Sequence, residues 1–203
     1  IKYLDNPINK ALTILACGHV DGVVAGAATP TSDILRSSLR IVGIDKNSKW
    51  VSSVFLLISP NKDIIFTYAD CAVIPEPSPE QLVSIAENAS SIHRLITKKE
   101  PKVAFLSFST NGSATHYRID KVKDAVNLFS KRNPNIVHEG EIQFDAAISP
   151  SISNKKNYMI RIIYTRLNMI FARLTKSKIL MVPSRLISAR ATCISVNSEK
   201  LSI

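Results

Sequence analysis

Apolar positions recur along this chain in two rhythms, one suited to helices and one to buried strands, and their order sets the expected fold. Asn9 to Ala16 has helical character and ends near Cys17 and Gly18. Val20-Asp21-Gly22-Val23-Val24-Ala25-Gly26 reads as a short buried strand between glycines, leading into the loop Ala27-Ala28-Thr29-Pro30-Thr31. Thr31 or Ser32 is expected to cap the next helix, with Asp33 in its first turn, where a carboxylate meets unpaired amides. Ile34, Leu35, Leu39 and Ile41 supply its apolar face, and Gly43 stops it.

Residues 51–58 and 64–69 read as two strands joined by the turn 59–63, an antiparallel hairpin. Ser78 is placed to cap a helix from Pro79 to about Leu95, with Leu82, Ile85, Ala86, Ala89 and Ile92 as its buried stripe. Residues 102–107 form a strand that ends in the polar loop 108–115, and a helix follows over Asp120–Phe129. Residues 136–142 are a further strand or turn, and Phe144 to Ile148 begins another helix. Repeated strand–loop–helix units predict an α/β fold, three-layer α/β/α, with a mostly parallel sheet plus an antiparallel hairpin. Ligands in such sheets sit beyond the strand C-termini, so the loops 26–33, 70–74, 107–115 and 140–145 become the candidate site.

Charge divides the chain. Residues 1–150 carry 16 basic and 15 acidic residues, whereas 151–203 carry 10 basic residues and one acid, Glu199. All six glycines lie in the first part, so the turn and capping chemistry of an α/β domain stops there. The expected division is a partial enzyme domain over 1–150 and a divergent basic tail over 151–203 that need not belong to its fold. Residues 158–182 also admit a basic amphipathic helix, though sequence without a selected role is the preferred account. The basic pI of about 9.7 comes from that tail, and no RNP, KH or zinc-finger pattern accompanies it, so neither nucleic acid nor membrane is expected as a partner. The apolar run 50–58 is too short to span a bilayer. Cys17, Cys71 and Cys193 lack metal-ligand or disulfide spacing, which suits a reducing cytoplasm, and the four dispersed histidines suggest no metal.

Individual residues offer some chemistry. Arg36 lies one turn beyond the Ser32/Asp33 helix start, and its fork of donors suits a phosphate. A surface arginine paired with Asp33 is the plainer alternative, and Arg40 is a weaker second cation. Ser109-Thr110-Asn111-Gly112-Ser113 offers hydroxyls and expected free backbone amides, an anion nest without Walker A spacing. Asp70 and Cys71 end a strand, with Cys71 expected to be an inert thiol. Glu139, Glu141 and Asp145 either face solvent or line a cleft.

Four ordered blocks carry a family resemblance. They are Asp21-Gly22-Val23-Val24-Ala25-Gly26-Ala27-Ala28 with Thr31-Ser32-Asp33-Ile34-Leu35-Arg36; Phe66-Thr67-Tyr68-Ala69-Asp70-Cys71-Ala72-Val73 with Pro77-Ser78-Pro79-Glu80-Gln81-Leu82; Val103 through Ala114; and Glu139 through Ile148. Together they resemble the phosphate acetyltransferases, or phosphotransacetylases, over about residues 18–150. Phosphate butyryltransferases and the acyltransferase-like domain of some malic enzymes share the fold and resemble the blocks less.

The resemblance implies a partial isocitrate/isopropylmalate-dehydrogenase-like acyltransferase fold. It also implies exchange of an acetyl group between acetyl phosphate and coenzyme A, with phosphate released. Acetyl-CoA and coenzyme A would be substrates, with no covalently bound cofactor and no metal in the chemical step. The partner expected by family is a second copy of the chain, in a cytoplasmic homodimer. Arg36 is then the phosphate-contacting arginine, Asp33 belongs to its loop, and Ser109, Thr110, Gly112 and Ser113 match the family's polar substrate loop. Thr29 and Pro30 depart from the usual polar pair before the Ser/Thr-Asp motif.

The family's Asn-Asp-Leu-Ser-Arg-Gly block and preceding Phe-Pro-Asp-Leu-Asn segment do not occur in these 203 residues. An N-terminal arginine-bearing segment is likewise expected upstream of Ile1. The pair Ser184-Arg185 has different neighbours, so no catalytic residue is assigned. The expectation is a phosphate acetyltransferase piece, truncated or inactive, with a frame change as the simplest origin of the tail. The alternatives are a remnant that only binds anion or dimerises, and a phosphate butyryltransferase.

Overall fold

The computed structural model describes residues 2–46, 48–58, 65–71, 73–155, 168–173 and 192–194. After a 3-10 turn at Lys2–Asp5 come α1 (Pro7–Ala16), β1 (Val23–Ala25), α2 (Thr31–Ile41), β2 (Phe55–Ile58) and β3 (Ile65–Ala69). Then follow α3 (Pro79–Thr97), β4 (Lys102–Leu106), α4 (Tyr117–Arg132), β5 (His138–Ile142), α5 (Phe144–Ile148), α6 (Pro150–Lys155), β6 (Asn168–Arg173) and β7 (Thr192–Ile194). The hairpin turn 59–63, Ser184-Arg185 and most of 158–182 lie outside the described residues. This is a mixed α/β protein of two compact units, Ile1–Lys49 with Ile179–Ile203, and Trp50–Lys178.

In the first unit, Asn6 caps α1 by accepting the amides of Ile8 at 2.8 Å and Asn9 at 3.3 Å, with Pro7 at the tolerant first position. Leu12 is fully buried, and β1 pairs antiparallel with β7, Val23 opposite Ile194. The cap expected from Thr31 or Ser32 is not made. α2 starts at Thr31, one residue before a Thr31 cap allows and two before a Ser32 cap allows, behind Pro30, and no side chain caps it. Its buried stripe centres on Ile34 and Ser38, four residues apart, so Leu39 faces outward at 46% exposure. The Ser38 hydroxyl satisfies itself on the carbonyl of Ile34 at 2.8 Å. Gly43, with φ at 83°, ends the helix as expected.

The second unit is built on a five-stranded sheet in the order β2-β3-β6-β4-β5. β2 and β3 form the antiparallel hairpin, and the other three pairings are parallel. β6 joins the sheet from within 151–203, its backbone laddered to β3 on one side and β4 on the other. One core cluster joins Leu82, Val83, Ile85, Ala86 and Ala89 of α3 to Val103 and Phe105 of β4 and to Val122, Ala125 and Phe129 of α4. A second joins Ala104 and Ile142 to Ala146 and Ala147. β4 is therefore covered on both faces, which suits its unbroken apolar run.

α3 begins as the sequence indicates. Ser78 and Gln81 form a reciprocal capping box, the Ser78 amide donating at 2.8 Å and the Gln81 amide at 3.3 Å. Ile92 is only half-buried, while His93 lies in the interior. α4 starts three residues before the expected Asp120, because His116 caps it, its Nδ1 accepting the Arg118 amide at 3.2 Å. Registers of the parallel strands place the ends of β3, β4 and β5 at one edge of the sheet, with Leu106 opposite Ile142.

Candidate functional site

The edge of the parallel sheet collects three of the four expected loops, 70–74, 107–115 and 140–145. The segment between β4 and α4 turns sharply at Asn111 and Gly112, which take φ of 47° and 79° in succession. Asparagine and glycine are the residues that tolerate this left-handed backbone, and the turn closes with the Ser113 amide on the Thr110 carbonyl at 3.1 Å. Asn111, Gly112 and Ser113 form the exposed tip, while Ser109 and Thr110 are buried beneath it.

Glu141, the penultimate residue of β5, is only 3% exposed and lies under this tip. Its Oε1 accepts the Ser109 hydroxyl at 3.0 Å and the Gly112 amide at 2.6 Å, while its carbonyl accepts the Asn111 amide at 3.2 Å. Lys123 Nζ stands 3.8 Å from the same Oε1. Oε2 is buried and has no hydrogen-bond partner among the described residues. Next to it, Thr110 Oγ1 donates to Gln143 Oε1 at 3.2 Å and accepts the Gln143 amide at 3.0 Å.

These bonds correct one expectation. The amides of Ser109 and Thr110 go to the hydroxyls of Ser107 and Ser113, and that of Ala114 goes to Ser109 Oγ. With Asn111, Gly112 and Ser113 already accounted for, no amide from 109 to 114 is free. A nest of backbone donors does form, but the chain supplies its own carboxylate to it. Sequence spacing could not reveal this, because Glu141 arrives from 32 residues away in the chain.

A second buried carboxylate organises the loop after β3. Asp70 accepts the amide and hydroxyl of Ser53 and the amides of Val73 and Ile74, the last at 2.6 Å. Cys71 is half-buried, its thiol donating to the Tyr68 carbonyl at 3.3 Å. Burial, aided by Cys71, pushes the Tyr68 phenol well above the usual tyrosine range. Behind this edge, His93 Nδ1 lies 2.8 Å from the Thr67 hydroxyl. Burial, and then Arg94 and Lys99, hold its imidazole below the usual histidine value. Residue spacing carried no signal for Ser53, for the buried bond of His93 or for the cap at His116.

In the first unit, Arg36 and Asp33 meet one turn apart, Nη1 to Oδ1 at 2.8 Å, with side chains 59% and 51% exposed. Both the expected helix-start acid and its arginine are therefore placed, and the arginine presents its remaining donors to solvent. Arg40 is exposed on the same helix. The candidate set thus falls into two local groups, Asp33 with Arg36, and Ser109, Thr110, Gly112 and Ser113 with Glu141. Of the other acids, Glu139 is half-buried, and Asp145 is exposed with Oδ1 accepting the Ala146 amide. Among the described residues no cluster of three or more His, Cys, Asp or Glu is arranged to hold a metal ion, and no helix is long and apolar enough to cross a membrane.

Comparison with known proteins assigns a relationship. The phosphate acetyl/butaryl transferase family model matches residues 2–164, past the change of composition at 150. A phosphate acetyltransferase of Clostridium acetobutylicum is 40% identical over 159 residues, which is 76% of this chain and 48% of that protein. One from Thermoanaerobacterium thermosaccharolyticum is 40% identical over 143 residues, 68% of this chain and 44% of that protein. A phosphotransacetylase structure from Streptococcus pyogenes superimposes with a TM-score of 0.73 at 32% identity, covering 85% of this chain and 52% of that one. The chain spans about half the length of these relatives.

Proposed function

The chain belongs to the phosphate acetyl/butaryl transferase family, and from that membership we propose that it is the phosphate-gripping part of a phosphate acetyltransferase. The reaction is acetyl-CoA plus phosphate to coenzyme A plus acetyl phosphate. In the reverse direction the coenzyme A thiolate attacks the acetyl carbonyl carbon, the new C–S bond forms, and the C–O bond to phosphate breaks. Arg36 holds phosphate oxygens with its outward donors, and Asp33 fixes the guanidinium. The loop bearing Ser109, Thr110, Gly112 and Ser113 presents its tip to the substrate.

The observation that carries this reading is the gathering of family-matching segments at the C-terminal edge of one parallel sheet, where α/β proteins bind ligands. Membership further suggests a three-layer α/β/α arrangement of the isocitrate/isopropylmalate-dehydrogenase-like type, a homodimer, and a cytoplasmic setting. The division into an acyltransferase part, 1–150, and a basic tail, 151–203, is proposed with it.

These 203 residues lack the Asn-Asp-Leu-Ser-Arg-Gly block. Turnover by this chain alone is therefore expected to be trace at most, since one lost transition-state donor costs roughly 10²–10³ in rate. Binding is the direct test. Acetyl phosphate and coenzyme A should bind, and Arg36→Ala should weaken acetyl phosphate by about tenfold or more, the worth of a charge-assisted hydrogen bond. Failure of both ligands to bind would sink the proposal. Clear acetyl phosphate formation, lost in Arg36→Ala, would instead exclude a merely anion-binding or dimerising remnant. That remnant reading is favoured by the fully engaged amides of 109–114. Competition between acetyl-CoA and butyryl-CoA distinguishes the two branches of the family.

A further inference from the structure

Resting on that reading, we infer that Glu141 is the positioning residue of the substrate loop, a resident anion that sets the shape the loop presents to ligand. Beyond the loop's own internal bonds, the hydrogen bonds that reach its tip from other described elements converge on the end of β5. Oε1 of Glu141 takes both the Ser109 hydroxyl and the Gly112 amide, and its carbonyl takes the Asn111 amide. Gly112 has φ of 79° and Asn111 φ of 47°, conformations that an unheld loop would leave readily. A carboxylate 3% exposed with one oxygen unpartnered among the described residues is a costly arrangement for packing alone, since an apolar side chain would fill the space without it.

Glu141 makes no contact with ligand in this role. It acts through Ser109 and Gly112, which turn Asn111 and Ser113 outward. The nest is thereby closed to a free phosphate, and the loop serves other parts of the substrates. Removal of the carboxylate should open the amide of Gly112 to solvent, while the Asn111 amide keeps the main-chain carbonyl of Glu141, and cost affinity for coenzyme A more than for acetyl phosphate.

The test uses the full 203-residue chain with coenzyme A and acetyl phosphate as probes, alongside amide hydrogen exchange at 109–114. Glu141→Ala is expected to lose coenzyme A affinity by about tenfold or more and to lose protection at Gly112. Glu141→Gln keeps an acceptor at the same place, so it should recover affinity to within roughly threefold and restore that protection. Phe129→Leu, in the core beside Phe105, serves as the control. It lowers stability and should leave both affinities unchanged. Wild-type affinity in Glu141→Ala would overturn the inference alone. So would equal losses in Glu141→Ala and Phe129→Leu, or no rescue by Gln. Absence of binding by the wild-type chain would overturn the functional reading and this inference with it.

Discussion

Gly140 shows how one residue can fix both a strand pairing and the carboxylate beside it. A methyl group built there would stand 2.7 Å from Phe105 Cβ, 2.9 Å from Val126 Cγ2 and 3.1 Å from the Phe105 carbonyl oxygen. None of these can retreat easily, because Phe105 is fully buried between Phe129 and the sheet. Gly140→Ala is expected to destabilise the chain by about 1–3 kcal/mol, the usual cost of overpacking, and urea unfolding would show it as a lower midpoint. An unchanged midpoint would mean that β5 sits farther from β4 than described. His93 supplies a prediction in pH. Its folded-state pKa is depressed, so the neutral form is the folded form, while the unfolded chain takes up a proton below about pH 6.5. Stability from this source is complete above that value and is lost as pH falls through and below it. Thermal unfolding between pH 7 and 5 should therefore decline less steeply in His93→Gln than in the wild type, and parallel curves would refute the assignment.

Local chemistry at the element ends was legible to different degrees. The capping box at Ser78 could be read directly, because all its parts lie within four consecutive residues, and Ser78→Ala should cost about 1 kcal/mol in a urea titration. A midpoint indistinguishable from wild type would show that Glu80 and water replace the cap. The hairpin β2–β3 and the strand β4 were equally visible in their apolar runs, whereas β5, with only Ile142 strongly apolar, could be read no further than a strand or turn. Where the sequence misled, a distant partner decides the outcome. Glu141 completes the loop after β4 from another strand, and Ser53 holds Asp70 from 17 residues away. His116 was visible as a residue but not as a cap, since histidine is an uncommon choice for that position. Ser38 and His93 look polar by composition; the Ser38 hydroxyl is satisfied on Ile34, while His93 meets Thr67 through Nδ1 and leaves Nε2 buried without a partner among the described residues. Asp33 and Arg36 were legible as a pair because helix geometry alone brings residues three apart together.

At the scale of the whole chain, composition and backbone pairing put different weights on the region beyond 150. Composition sets 151–203 apart, with 10 basic residues, one acid and no glycine. The sheet, however, draws β6 from that region into the gap between β3 and β4, where Ile65–Ala69 and Lys102–Leu106 both ladder onto it. Without β6 the hairpin β2–β3 and the parallel pair β4–β5 have no backbone link, and the facing edges of β3 and β4 carry unpaired amides and carbonyls. Thr67 of β3 and Val103, Ala104 and Phe105 of β4 are fully buried with β6 in place, so its removal forfeits two ladders of hydrogen bonds, each bond worth about 0.5–1.5 kcal/mol net, and wets apolar side chains beside them. Against a typical total stability of about 5–15 kcal/mol, that loss is decisive. A chain ending at residue 150 is therefore expected to lose its single cooperative thermal transition and to bind a hydrophobic dye that the full chain excludes. A sharp transition at the original temperature would place the basic segment outside the fold, and the sheet would then have to close by pairing β3 directly with β4.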